Sequence, residues 1–297
     1  MIIGHQKQWD FLKKTAETAK FSHAYLFSGL GKLGKRTLAL KWVSFLFGQS
    51  IGNLTNHPDL IFIEPLPPDS AKTSTGKEEI RISQIKDLIW RLSLKPSLAP
   101  VKAAIIDDAH LMNEEAQTCL LKTLEEPKGK TILILITDKF QELFPTVLSR
   151  VQIIKFYPVD NQEIKDYLKK QQITEKDLEE ISEIAAGRPG VAVDFVSNSQ
   201  KINLFHEKIK EIEKISKSDL AFRFQYAKEL STNPQKTREA LDTWTLYFRQ
   251  KLINAIINRQ PTSGLRKILN FLQKTNFLIS TTNVNFRMAL DALMIEL

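Results

Sequence analysis

Short apolar runs alternate with amphipathic stretches through the first half of the chain, and then the apolar runs stop. Five of them read as strands, at 24–27, 60–63, 101–106, 131–136 and 151–155. Between them, 35–47, 83–94 and 114–125 carry helical spacing, the last with Ala116, Leu120 and Leu124 on one face. The stretch 65–77, rich in Pro, Ser, Thr, Asp and Gly, reads as a surface loop. After Pro158 the β pattern does not return. Asp160 with Glu163, and Thr174 with Asp177, have the spacing of helix caps and predict two short helices within 160–186. They are interrupted at Gly187-Arg188-Pro189-Gly190, and a third helix is expected toward Val196. A polar break at 197–200 precedes three apolar stripes: Phe205, Ile209, Ile212; Leu241, Trp244, Phe248, Leu252, Ala255; and Phe286, Leu290, Leu293, Leu297. The pattern predicts a parallel five-stranded α/β domain over 1–158, a small helical lid over 159–200 and an all-α domain over 201–297.

The length of 297 residues and a hydrophobic fraction of 42% agree with more than one domain and a sizeable core. The expectation is a cytoplasmic protein, with no membrane contact: there is no charged-then-apolar leader and no apolar run of the roughly 20 residues that span a bilayer. The single cysteine, Cys119, excludes an intrachain disulfide and a multi-cysteine zinc site, and reads as a small apolar residue on a helix. The net charge of +8 suits proximity to nucleic acid, but 34 acids are interspersed with the bases and no basic stripe stands out.

The most informative stretch is YLFSGLGKLGKRT, from Tyr25 to Thr37. A phosphate loop has the spacing G-x-x-x-x-G-K-[ST], in which backbone N–H groups hold the phosphates, the Lys reaches their oxygens and the last hydroxyl ligates Mg²⁺. Gly29, Gly34 and Lys35 stand in their places, but Arg36 replaces the hydroxyl. Thr37 does not take over, since one residue along a helix turns about 100° away. Asp107 and Asp108 follow an apolar strand, where a phosphate-loop ATPase keeps its metal-holding and water-polarising acids. Asp108 is one methylene shorter than the usual Glu. His23 and His110 stand beside strand ends without a partner triad, and read as structural.

The segments SHAYLFSG, HPDLIFIEP, EIRISQIKDL, VKAAIIDDAHLMNEEAQTCLLKTLEEP and PTVLSRVQIIKFYP together resemble the bacterial clamp-loader AAA+ proteins, and within them the delta-prime family of DNA polymerase III subunits. The resemblance covers about the first 190 residues and, more faintly, NVNFRMALDALMIEL at the end. It implies that Gly29, Gly34 and Lys35 correspond to Walker A, Asp107 and Asp108 to Walker B, Thr137 to sensor 1 and Arg188 to the sensor 2 region. Arg150, in Ser149-Arg150-Val151, matches the arginine that reaches the ATP of a neighbouring subunit. Four zinc-binding cysteines usual in this family are missing from FLFGQSIGNLTNHPDL, so no zinc is expected, and no other metal. Degenerate phosphate loops also mark the delta-prime branch, so weak or absent ATP and Mg²⁺ binding follows.

The function implied is a non-motor, stator-like subunit of the DNA polymerase III holoenzyme. Its expected partners are delta and gamma/tau subunits in a hetero-oligomer, and, through the complex, the sliding clamp and primer-template DNA. The alternatives are an ATP-hydrolysing gamma/tau-like motor subunit and a free-standing nucleic-acid-binding protein; Arg36 and the missing cysteines speak against the first, the scattered charge against the second.

Overall fold

The computed structural model describes residues 2–18, 21–54, 56–67, 78–171, 173–197, 200–281 and 284–297. The chain divides into two compact units, one of Met1–Lys170 with Ala186–Gly190, the other of Gln171–Ala185 with Val191–Leu297.

In the first unit, β1 (Ala24–Ser28), β2 (Leu60–Ile63), β3 (Lys102–Ile106), β4 (Thr131–Thr137) and β5 (Gln152–Lys155) form one parallel sheet in the order β2-β3-β4-β1-β5. Each strand lies within one residue of its expected bounds. The runs of β1, β3 and β4 read clearly because helices cover both faces and every position is buried, whereas the edge strand β5 buries only Ile154. Tyr25, Phe27, Ala103, Ile105, Ile132 and Ile134 pack on one face with Leu38, Trp42 and Val43 of α2 (Lys35–Phe47). Leu26, Ala104, Ile106, Leu133 and Leu135 pack on the other with Ile85 and Leu88 of α3 (Ile82–Ser93) and Leu120 and Leu124 of α4 (Glu114–Glu125).

The helix starts follow local chemistry. The Asn113 side chain accepts from the Ala116 N–H at 2.9 Å at the head of α4, and the Gln84 side chain accepts from the Arg81 N–H at 3.0 Å at the head of α3. An N-terminal helix, α1 (Gln6–Glu17), was not expected; it buries Leu12 among otherwise mostly polar residues. Of the expected loop at 65–77, residues 68–77 lie outside the described residues, and Leu66 and Glu79 beside them form an antiparallel bridge. The short α5 (Pro145–Leu148) precedes β5, and α6 (Asn161–Lys170) follows it. The Gln162 N–H donates to Asp160 Oδ1 at 2.9 Å, which is the expected cap of α6.

The helices from α7 (Glu175–Ala185) onward build the second unit, with α8 (Pro189–Ser197) leading into it. Thr174 Oγ1 accepts from the Asp177 N–H at 3.3 Å and so caps α7 as expected. The rest are α9 (Gln200–Lys217), α10 (Leu220–Ser231), α11 (Pro234–Ile257), α12 (Ser263–Thr281) and α13 (Phe286–Glu296). Of the expected polar break at 197–200, residues 198–199 lie outside the described residues. Ile212, Leu241, Trp244, Phe248, Leu290 and Leu293 meet in one core, so Trp244 and Phe248 serve the bundle itself. No helix among the described residues is long and apolar enough to cross a membrane.

Candidate functional site

The register of the sheet places Ser28 level with Thr137 on one side and Lys155 on the other. The carboxyl ends of β1, β3 and β4 therefore open together, at the point where β1 stands between strands from different parts of the chain, the position at which open α/β sheets place their ligands. The loop from β1 to α2 starts at Gly29, where a Cβ would lie 2.4 Å from the Phe156 carbonyl oxygen. It ends at Gly34, whose φ of 88° starts α2 from the left-handed region. Both glycines are thus required by the loop's shape.

Lys35 is turned into this loop. Its Nζ donates to the carbonyls of Gly29 at 2.5 Å and Leu30 at 2.7 Å, and the residue is only 6% exposed. Burial pushes its pKa down, while Asp138, Asp108 and Asp107 push it back up. The ammonium is held by the backbone of its own loop.

Arg36 reaches across the strand ends. Its Nη1 lies 2.5 Å from Glu64 Oε1 and 3.3 Å from Asp107 Oδ2, and its Cζ sits 4.4 Å from the Phe62 ring centroid. Burial pushes the Asp107 carboxyl up, Asp108 adds to this, and Arg36 opposes it. Thr37, the next residue, is exposed on α2. The guanidinium thus joins the two acids that follow β2 and β3. A magnesium ion does not fit these residues: the hydroxyl it needs is absent, and a fixed cation already pairs with Asp107. Glu64 was missed by sequence reasoning, although it follows the apolar run 60–63 just as Asp107 follows 101–106.

Asp108 stands in the left-handed region, with φ 47° and ψ 47°, and its N–H donates to Asp107 Oδ1 at 3.2 Å. At the end of β4, Thr137 is fully buried; its Oγ1 accepts from the Lys139 N–H at 3.0 Å and lies 3.3 Å from His110 Nδ1. His110 Nε2 lies 3.4 Å from Asp138 Oδ1. Asp108, His110 and Asp138 bring potential ligand atoms within 4.8 Å of one another, but both ring nitrogens are already engaged. His23 Nε2 meets the Leu124 carbonyl at 2.7 Å, the structural role expected of it.

The Gly187–Gly190 turn joins the same unit. The Val159 N–H donates to the Gly187 carbonyl at 2.8 Å, and the Gly190 N–H donates to the Lys32 carbonyl at 2.8 Å. A Cβ at Gly190 would lie 2.8 Å from that Lys32 oxygen, so the turn bearing Arg188 rests directly on the loop between β1 and α2.

Arg150 is held by other elements. Its Nε and Nη2 donate to Glu125 Oε1 at 2.9 and 2.6 Å, and its Nη1 donates to the Thr146 carbonyl at 2.8 Å and Ser149 Oγ at 3.0 Å. The pair is partly exposed, with 33% of the Arg150 side chain and 50% of the Glu125 side chain open to solvent. Glu125 was also not singled out from the sequence.

The family model for "DNA polymerase III, delta subunit" matches residues 4–160, more than half of the chain. The chain belongs to this family. It is 33% identical over 146 residues to DNA polymerase III subunit delta' of Pseudomonas aeruginosa, a match covering 44% of this chain and 42% of the relative. It is 34% identical over 176 residues to the delta' subunit of Bacillus subtilis, covering 55% of this chain and 50% of the relative. The chain thus spans about half the length of the curated relatives it matches. A solved DNA polymerase III gamma subunit-related protein from Thermotoga maritima shares the fold, with a TM-score of 0.55, 17% identity and coverage of 96% of this chain and 97% of that one. The resemblance to the delta-prime family and the AAA+ type of α/β fold with an all-α carboxyl-terminal region are both borne out.

Proposed function

We propose that this member of the delta family is a non-motor, stator-like subunit of the bacterial DNA polymerase III clamp loader. It helps place the sliding clamp on primer-template DNA, in a hetero-oligomer with delta and gamma/tau subunits. The observation that carries the non-motor reading is the Arg36 guanidinium spanning Glu64 and Asp107, 2.5 and 3.3 Å away. A P-loop ATPase places its metal between a loop hydroxyl and that strand-end acid, and the metal neutralises charge developing on the phosphates. A tethered guanidinium in the same neighbourhood keeps the acids paired but supplies no exchangeable coordination sites. In this reading 1–158 is the AAA+ module, 159–200 its lid and 201–297 the collar that joins the other subunits. Gly29, Gly34, Lys35, Arg36, Thr37, Asp107, Asp108, Thr137 and Arg188 line a remnant nucleotide site that turns over no ATP.

Arg150 acts in trans, as the finger that leaves Glu125 to meet the γ-phosphate held by a neighbouring subunit. Support comes from its partial exposure: a third of the side chain is open to solvent, and its carboxylate partner Glu125 is half exposed.

Steady-state phosphate release by the purified chain in Mg-ATP tests the central claim. No turnover is expected; turnover that Lys35→Ala abolishes would refute it and favour a motor subunit. Gel filtration with delta and gamma/tau subunits tests the assembly.

A further inference from the structure

On the first unit, away from the phosphate loop, α3 and α4 leave a groove between them at the amino end of β4. One part, about 510 Å³, is lined by Ile89, Leu92, Cys119, Thr123 and Pro127, with Lys122, Lys128 and one acid, Glu126, at its margin. It continues into a part of about 290 Å³ bounded by Leu94, Lys95, Pro96, Pro100 and Lys130. The two parts share Ser93, Lys128 and Thr131, so the groove is continuous.

Its far wall is preformed. Asp59 is fully buried, and its carboxylate accepts from the N–H groups of Ser97 at 2.8 Å, Leu98 at 2.7 Å and Ala99 at 2.9 Å. Lys102 Nζ stands 3.5 Å from the same carboxylate. Three backbone donors and a buried ammonium hold the loop, and they hold it with Leu98 73% exposed. Trp90 on α3 and Leu94 just after it are also left open, at 62% and 46%. A loop pinned this firmly around an outward leucine costs little further ordering when something docks on it.

The charge says what docks. Lys95, Lys122, Lys128 and Lys130 are all exposed, and none makes an ion pair among the described residues. The floor is aliphatic, and α3 offers a single aromatic ring, Trp90, where single-stranded nucleic acid needs successive stacking platforms. We infer that the groove is a docking site for an acidic peptide segment of another protein: an apolar side chain seats over Ile89, Leu92 and Cys119, and flanking carboxylates meet the four lysines. The inference is independent of what the phosphate loop does.

Cys119, the chain's single cysteine, lines the groove and reports on it. Panning a phage-displayed random dodecapeptide library on the full chain should enrich sequences with Asp or Glu flanking Leu, Phe or Trp. A synthetic copy of the enriched peptide should slow the reaction of Cys119 with a disulfide reagent. The exposed double variant Lys128→Glu/Lys130→Glu, with an unchanged melting temperature, should bind the peptide about tenfold or more weakly, as should Lys122→Glu/Lys95→Glu. No enrichment, a neutral or basic consensus, an unchanged Cys119 rate, or equal binding by both charge-reversed variants would overturn the inference. Oligo-dT binding that these variants abolish, without peptide enrichment, would also overturn it and assign the lysines to nucleic acid.

Discussion

At the carboxyl ends of the strands the chain answers its own cations: Lys35 by the Gly29 and Leu30 carbonyls, Arg36 by Glu64 and Asp107. At the amino end of β4, Lys95, Lys122, Lys128 and Lys130 border an apolar groove and pair with no acid among the described residues. A cation that is satisfied internally has little left to offer a ligand, because a ligand anion must displace its present partner. An unsatisfied cation next to apolar surface offers both attraction and area. The same fold therefore holds a site whose charges are closed and another whose charges are open. Arg150 stands between these cases, paired with Glu125 but partly exposed.

The largest effect expected is at Arg150. In systems with an arginine finger the guanidinium is worth about 10³–10⁵ in rate. Arg150→Ala should leave folding and assembly unchanged and silence the neighbouring ATP site on that scale, while total ATPase of the complex falls only in part. Arg150→Lys should rescue poorly, since an ammonium lacks the planar fork. Equal ATPase rates for wild-type and variant complexes at saturating ATP would place Arg150 with the closed cations.

Next comes Asp59, whose carboxyl frames the open groove. Burial alone would raise its pKa, but the three N–H donors and Lys102 outweigh that and depress it to about 2. A depressed carboxyl stabilises the fold fully above its unfolded pKa near 4, and that stability is lost as pH falls through about 2. Asp59→Asn should cost about 2–4 kcal/mol at neutral pH, because it weakens the cradle and leaves Lys102 buried without its counter-charge. It should also flatten the acid limb of a stability profile. Denaturant melts at several pH values check this; a wild-type profile would mean that the groove wall does not depend on the charge.

A smaller change is expected from Arg36→Thr. The Arg36 pairs are half exposed on the guanidinium side, so the loss of stability should be at most about 1 kcal/mol. The informative readout is the ion: the variant's melting temperature should rise with millimolar Mg²⁺, and the wild type's should not. Removing the guanidinium also raises the Asp107 carboxyl further. A carboxyl raised in the fold favours folding at low pH, so relative to wild type the variant should lose stability as pH rises above about 4. Mg²⁺ sensitivity in the wild type would break the claim that the carboxyl-end site is closed.

The smallest effect concerns Glu125. Glu125→Gln frees Arg150 of an ionic partner at an exposed position worth about 0–1 kcal/mol. Assembled complexes should show ATPase within about fivefold of wild type, raised and not lowered. A deep loss would mean that Glu125 positions Arg150 for the role proposed for it and does not merely pair with it.

The apolar runs alone determined the five strands: β1, β3 and β4 are buried at every position, so no solvated alternation confuses the reading, while the edge strand β5 buries only Ile154. The phosphate-loop spacing and the acid after an apolar run placed Gly29 and Asp107 at strand ends and Gly34 and Lys35 at the head of α2, where the structure has them, while Thr137, at the end of β4, came from the family resemblance. The α1 helix escaped because its few apolar residues, Leu12 among them, form no extended stripe. What Arg36 and Arg150 touch was not legible either. Their partners Glu64 and Glu125 lie 28 and 25 residues away, and Asp59 meets Ser97, Leu98 and Ala99 across 38 to 40. Local pattern encodes which face of an element is apolar. Which charges meet depends on strand order and on the side-chain directions at the sheet's ends, and those exist only once the chain has closed on itself.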